Sequence, residues 1–255
     1  MPQTFRHPEI IDIARAEGKV TVEDLSERFG VSVQTIRRDL TDLANAGQLA
    51  RVHGGAILPS GSRNIVYEER RQLNSAAKEA MARACARLIP DEACLFLNIG
   101  TSTEALAREL VGHENLIVVT NNINVAQILG ANPSCQITLT GGSFRPADGG
   151  LTGALAAQAL RSFKFDFAVI GCSGVDADGE LLDYDLQEVL VSQAALDRSR
   201  HRILLADQSK FGRAAPVCIA SVARLDTVVT DAPVPATIED LCQRSSTEVR
   251  SVLPG

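Results

Sequence analysis

The sequence predicts a mixed α/β protein of two parts: an N-terminal winged helix-turn-helix and a doubly wound, mostly parallel α/β domain. Three observations point there. The first 57 residues carry three short helical periodicities and a glycine-containing hairpin, residues 58–64 are turn-rich, and beyond Pro90 six short β-rich runs alternate with helical stretches. A chain of 255 residues is long enough for a small unit joined to a medium one, each with its own core. The expected division is 1–57, a linker at 58–74, and 75–255.

Composition narrows the class further. A hydrophobic content of 45% excludes a disordered chain, and no apolar run approaches the roughly 18 residues of a membrane span. Met1 to Arg15 hold no basic stretch followed by an apolar region, so a cytoplasmic protein without membrane attachment is expected. The six cysteines lack CxxC spacing and the four histidines lie far apart, which argues against disulfides and against a metal site.

The first helix runs from His7 toward Gly18 with Ile10, Ile11, Ile13 and Ala14 at helical spacing. Thr21, with Asp24 three residues later, caps a second helix that stops at Gly30. Ser32 caps a third, in which Val33, Ile36, Leu40 and Leu43 form the core stripe. At 100° per residue Gln34 and Arg38 point away from that stripe, with Thr35 and Thr41 beside them and Arg37 on the flank. Two helices around a glycine turn, the second with an exposed Gln/Thr/Arg face, make the helix-turn-helix layout. Gln can read adenine, Arg can read guanine, and hydroxyls hold phosphates. The competing reading is a solvated helix face. Gln48 to Ile57 then reads as a two-stranded wing that sets Arg51 and His53 beside the DNA backbone. The candidate reading set for double-stranded operator DNA is therefore Ser32, Gln34, Thr35, Arg37, Arg38, Thr41, Arg51 and His53.

A net-positive helical stretch follows from Tyr67 to Leu88. The six strands are expected at 93–97, 116–119, 136–139, 167–170, 203–206 and 227–229, with helices near 103–111, 122–130, 153–162, 185–199 and 236–243 covering both faces. The strands end in small or polar residues, and in open α/β sheets ligands bind beyond the carboxyl ends. Gly100-Thr101-Ser102-Thr103 has the composition of an anion cradle at a helix N-terminus, against the alternative of ordinary capping. Asn121, Asn122, Gly141, Gly142, Asp207 and Ser209 come from the other strand ends, and Lys210 and Lys78 can supply point charges. Neither a GxxxxGK[ST] loop nor a GxGxxG run occurs, so a small phosphorylated metabolite fits better than a nucleotide, and no cofactor is expected.

Thr35-Ile36-Arg37-Arg38-Asp39-Leu40, followed by Gly47, Leu49 and Arg51-Val52-His53-Gly54-Gly55-Ala56, resembles the signature of the DeoR-type bacterial repressors of sugar catabolism. The second half resembles the effector domain of that family through Asp148-Gly149-Gly150, Ser173-Gly174-Val175-Asp176 and Ser209-Lys210-Phe211-Gly212-Arg213. The resemblance implies an effector fold related to sugar-phosphate isomerases and a repressor, not an enzyme. Its operator would be released by a phosphorylated metabolite, glycerol 3-phosphate foremost. Asp39 cannot attract phosphate, so a structural role beside an arginine or a helix end is expected for it. Paired half-sites imply a homo-oligomer, dimer or tetramer. Two alternatives remain open at this level: an activator, and an isomerase-like enzyme using Asp166, Asp176, Asp207 or Glu188 as a base.

The overall charge of −6 and a pI near 5.3 speak against a nucleic-acid partner only as an average. Residues 88–255 hold twelve basic and twenty acidic side chains, against seven and eight in residues 1–57. The acid belongs to the expected effector domain.

Overall fold

The computed structural model describes residues 3–17, 19–45, 49–52, 54–57, 67, 71 and 73–252. Gly18, His53 and the turn-rich stretch 58–64 lie outside the described residues. The chain divides into units of 1–63 and 64–255.

The first unit runs α1 (Gln3–Glu17), β1 (Lys19–Thr21), α2 (Val22–Phe29), α3 (Val33–Asn45), β2 (Ala50–Val52) and β3 (Gly55–Ile57). Thr21 Oγ1 accepts the Asp24 N–H at 3.1 Å and starts α2. Gly30, at φ +63°, ends it in the left-handed region that glycine enters without penalty, and its N–H reaches the Glu27 and Ser26 carbonyls. Ile10, Ala14, Leu25, Ile36, Leu40 and Leu43 close the core. Val33 is the exception to the expected stripe: in the first turn of α3 it lies at the end of the buried row and remains 37% exposed. The wing has three strands rather than two, because β1 pairs with β3 in a β1-β3-β2 sheet. At Gly55 a Cβ would meet the Val20 carbonyl oxygen at 2.0 Å, so this pairing requires glycine.

The second unit begins its regular structure at α4 (Ser75–Ala86). The helix expected from Tyr67 onward is interrupted: Leu73 and Asn74 form a turn, with Asn74 at φ +54°. Seven strands follow in one wholly parallel sheet: β4 (Cys94–Leu97), β5 (Ile117–Thr120), β6 (Gln136–Leu139), β9 (Phe165–Ile170), β12 (Ser199–Leu205), β14 (Thr227–Thr230) and β15 (Glu248–Ser251). Six match the expected runs, and β15 adds an edge. The spatial order is β6-β5-β4-β9-β12-β14-β15.

Alternation along the strands explains the two helical layers. Phe96, Ala168, Ile170 and Leu204 join one core with α7 (Ala154–Leu160), α8 (Leu186–Asp197) and α9 (Ala236–Ser245). Their neighbours Leu95, Leu97, Val169, Ile203 and Leu205 join a second core with α4, α5 (Thr101–Glu109) and α6 (Ile123–Leu129). A strand apolar on both faces has to be covered on both. Two antiparallel additions were not expected: the hairpin β7 (Ser143–Arg145) with β8 (Gly150–Thr152), and the set β10 (Gly174–Val175), β11 (Glu180–Asp183) and β13 (Val217–Ser221). No described helix is long and apolar enough to cross a membrane.

Candidate functional sites

The outward face of α3 is built from the inside. Asp39 is 1% exposed and points toward α1, where Arg6 Nε donates to Oδ2 at 2.8 Å and Arg6 Nη2 to Oδ1 at 3.2 Å. His7 Nε2 lies 3.3 Å from Oδ1. This buried pair fixes the rotation of α3 about its axis, in the structural role expected of Asp39. With Asp39, Ile36, Leu40 and Leu43 turned inward, Ser32, Gln34, Arg37, Arg38 and Thr41 are exposed.

Thr35 is half-buried, and its N–H donates to Ser32 Oγ at 3.2 Å, so these two residues form the cap of the helix. Thr41 donates its hydroxyl to the Arg37 carbonyl at 2.7 Å, leaving its lone pairs outward. Gln34, Arg37 and Arg38 are thus the long polar side chains of the face. Arg51 lies in β2, opposite Ala56 of β3, and His53 is outside the described residues.

In the second unit the strand order locates a candidate ligand site. The chain starts at the middle strand β4, moves outward through β5 and β6, then returns to β9 on the other side of β4. The connections leave β4 and β9 in opposite directions, which opens a crevice at their carboxyl ends. Asn98 spans this point: its Nδ2 donates to the Gly171 carbonyl at 3.2 Å, and its Oδ1 accepts the Gly171 N–H at 3.0 Å. A small cavity of about 40 Å³, partly open to solvent, sits there.

One side of the cavity suits an anion. Gly100, Thr101 and Ser102 bring the N-terminus of α5, and Lys78, Lys210 and Arg213 add cations. Lys78 is buried and donates to the Leu73 carbonyl at 2.6 Å. Another part of the lining is rich in acceptors: Ser173, Asp183, Glu188, Asp207 and Ser209. Asp183 accepts from Ser173 Oγ at 3.0 Å. Asp207 accepts from Asn74 Nδ2 at 3.0 Å and from the Ser209 N–H at 3.0 Å. Glu188 pairs with Arg145, which also pairs with Asp148 and Asp185. Burial, reinforced by the charge of Asp183 and offset by Arg145, pushes the Glu188 carboxyl up to about 7. Cations beside acceptors and hydroxyls can hold a phosphoryl group attached to a polyol.

The structure brings Gly100, Thr101, Ser102, Asp207, Ser209, Lys210 and Lys78 together. Five expected residues fall elsewhere. Thr103 is fully buried, and its hydroxyl donates to the Asn98 and Gly100 carbonyls at 2.8 Å each. Asn121 donates to the Leu151 carbonyl at 3.0 Å; Asn122 caps α6 and donates to Glu104 at 3.2 Å. Gly141 and Gly142 follow β6, the edge strand two places from β4, so they do not line the cavity.

Among the carboxylates of the enzyme alternative, Asp166 sits at the opposite end of β9, accepting from the Cys94 N–H and pairing with Arg200. Asp176 closes a turn by accepting from the Asp178 and Glu180 N–H groups.

Asp183 and Arg213 line the cavity without being candidates from the sequence, Ser173 lies in the small-residue loop after the fourth expected strand, and Glu188 enters the sequence reading only as a base. The signal lay in strand order. Taken alike, the strand ends offer candidates in four loops, at 100–103, 121–122, 141–142 and 207–210, whereas the reversal between the first and fourth strands places the cavity at the loops around Gly100 and Gly171.

A family profile described as "DeoR-like helix-turn-helix domain" matches residues 6–61, and one described as "DeoR C terminal sensor domain" matches residues 73–232. The chain is 44% identical over 238 residues to the "Glycerol-3-phosphate regulon repressor" of Escherichia coli (strain K12), covering 93% of this chain and 94% of that protein. It is also 44% identical to the protein of the same name from Haemophilus influenzae, over 90% of each chain. Identity to the "HTH-type transcriptional repressor CsqR" of E. coli is 33%, over 98% of this chain and 95% of that protein. Among solved structures, ribose 5-phosphate isomerase A of Methanocaldococcus jannaschii superposes with a TM-score of 0.41 at 13% identity, covering 54% of this chain and 55% of that one.

Proposed function

The chain belongs to the DeoR family of helix-turn-helix transcriptional regulators with a C-terminal sensor domain, and from that membership we propose that it represses a glycerol or carbohydrate catabolic operon. Release from the operator is triggered by a small phosphorylated metabolite, glycerol 3-phosphate foremost. The observation that carries the effector reading is the cavity at the sheet's reversal point, with the α5 N-terminus, Lys78 and Lys210 beside a lining of hydroxyls and carboxylates.

The coupling is a linkage. A metabolite that prefers the conformer with poor DNA geometry weakens operator binding by the factor by which the operator weakens its own binding, typically about 5–150-fold. Each copy offers one reading helix, and operators pair half-sites, so the working species is a homo-oligomer. This reading belongs in the cytoplasm, where the operator and phosphorylated metabolites meet. Isomerisation gains no support from the carboxylates, since Asp207 is engaged by Asn74 and Ser209 and Glu188 by Arg145.

The test is calorimetric titration with glycerol 3-phosphate, with pentose and hexose phosphates as comparators, combined with operator gel shifts. Saturable glycerol 3-phosphate binding that lowers operator affinity is expected. A chain that binds none of these phosphates would overturn the effector assignment.

A further inference from the structure

Helix α8 is apolar on more than the side it buries. Its inner face, with Val189, Val191, Ala195 and Leu196, joins the core against the sheet. On the opposite side Leu186 and Leu190, one turn apart, are 55% and 37% exposed, and Ala194 continues their row. A surface helix ordinarily turns charged or polar residues to water, and one that is apolar all round is a covered helix. Helix α7 packs beside it. The Gly153 N–H donates to the Gln187 carbonyl at 3.3 Å, and Leu155, two residues on, is 64% exposed.

This outer surface carries no charge. Charged side chains make up 22% of the chain, yet across 154–160 and 186–196 the one that occurs is Glu188, which is buried and pairs with Arg145. The exposed polar groups there are the amides of Gln158 and Gln187. Charge returns at Asp197, the last residue of α8, which pairs with Arg224 at 2.8 Å.

We propose that the α7–α8 face is a two-fold contact on which a second copy of this chain seats the same face. The inference rests on the reading of the working species as a homo-oligomer and assigns the surface that makes it. In a two-fold contact each residue near the axis meets its own image. A lysine would face lysine and a glutamate would face glutamate, and such pairs repel. Leucine and alanine pack against themselves, and a glutamine amide, holding both donor and acceptor, can pair with its own copy. A charge-free surface of Leu, Ala and Gln is therefore what a self-contact requires, whereas a foreign partner is steered and selected by unlike charges. Depletion of charge is also the mark of an interface core.

The test is sedimentation velocity on the full chain, comparing wild type with Leu190→Glu and Leu190→Lys. Wild type is expected at the mass of a dimer or a multiple of it. Each variant alone sets like charges across the axis, so its dissociation constant at this contact should rise about 100-fold or more and its mass should halve. An equimolar mixture of the two should associate again, because Glu then faces Lys. Hydrogen exchange in wild type supplies a readout that needs no variant: at 154–160 and 186–197 it should slow as protein concentration rises through the association range.

Variants that keep the wild-type mass, a mixture no more associated than its parts, or exchange at these helices that ignores concentration would overturn the contact while the homo-oligomer stands. A wild type that is monomeric at every concentration would overturn the homo-oligomer and the contact with it. If circular dichroism shows that the variants do not fold, the wild-type exchange decides.

Discussion

Asp39 shows how a charged residue inside a DNA-reading helix serves the interior. Its carboxylate was legible as structural because a negative charge cannot attract phosphate, yet its partner Arg6, 33 residues earlier, was not, since pairing across helices leaves no local pattern. Glu188 presents the reverse case, a residue visible only as a candidate base whose place in the fold gives it a different consequence. With its carboxyl raised to about 7, the neutral form is favoured in the folded protein. The stability it contributes is present below the ordinary carboxylate range and is lost as pH rises through about 7. Ionisation also adds a negative charge to the cavity wall. Affinity for glycerol 3-phosphate, taken relative to a Glu188→Gln variant, should therefore fall between about pH 6 and pH 8, with the ligand's own titration cancelling in the comparison. Parallel pH profiles for the two proteins would refute this.

At the scale of elements, long periodic segments were legible and short ones were not. Four of the six expected strands, at 93–97, 116–119, 167–170 and 203–206, are apolar throughout, and those at 136–139 and 227–229 carry two apolar residues each in a β-rich run, whereas β1, β7, β8 and β10 are two or three residues long and show no period. The break at Asn74 escaped notice because a left-handed residue other than glycine leaves the surrounding helical pattern intact. Helix α3 was read correctly except at Val33, where periodicity places a residue on a face but does not say how far the neighbouring core extends. On the exposed side of this helix, Arg38→Ala should weaken operator binding by about 1–3 kcal/mol and relax base preference at one position, if Arg38 reads a base. Loss of a phosphate contact would instead lower affinity evenly across sequences. Binding curves on a set of single-base operator variants distinguish the two, and an unaltered curve set would remove Arg38 from the interface.

For the molecule as a whole, charge is partitioned by unit. The acidic excess lies in residues 88–255, and we propose that attraction to DNA is local, carried by a few arginines on α3 and the wing, with the acidic sensor unit limiting non-specific binding. With about three cationic contacts per copy, the slope of log affinity against log salt should be about −3 per copy, at about −0.9 per phosphate. A much steeper slope, measured by fluorescence anisotropy, would mean that basic residues outside α3 and the wing also touch DNA. The two-part plan and the sensor's doubly wound class were legible because alternation of β-rich and helical stretches is a long-range pattern. The position of the cavity depends on which strands become neighbours, and no single segment encodes that.

The central place of β4 also bears on how the protein is made. Its partner β9 pairs Phe167 with Leu95, a separation of 72 residues, so this middle pairing closes one of the longer loops in the sheet. During synthesis the first 63 residues emerge well before β9 exists, and at about 5–20 residues per second the interval is several seconds or more. The crevice between β4 and β9 therefore cannot form in a growing chain until β9 has been made, and a ligand site at that crevice is among the later features of the molecule to be completed.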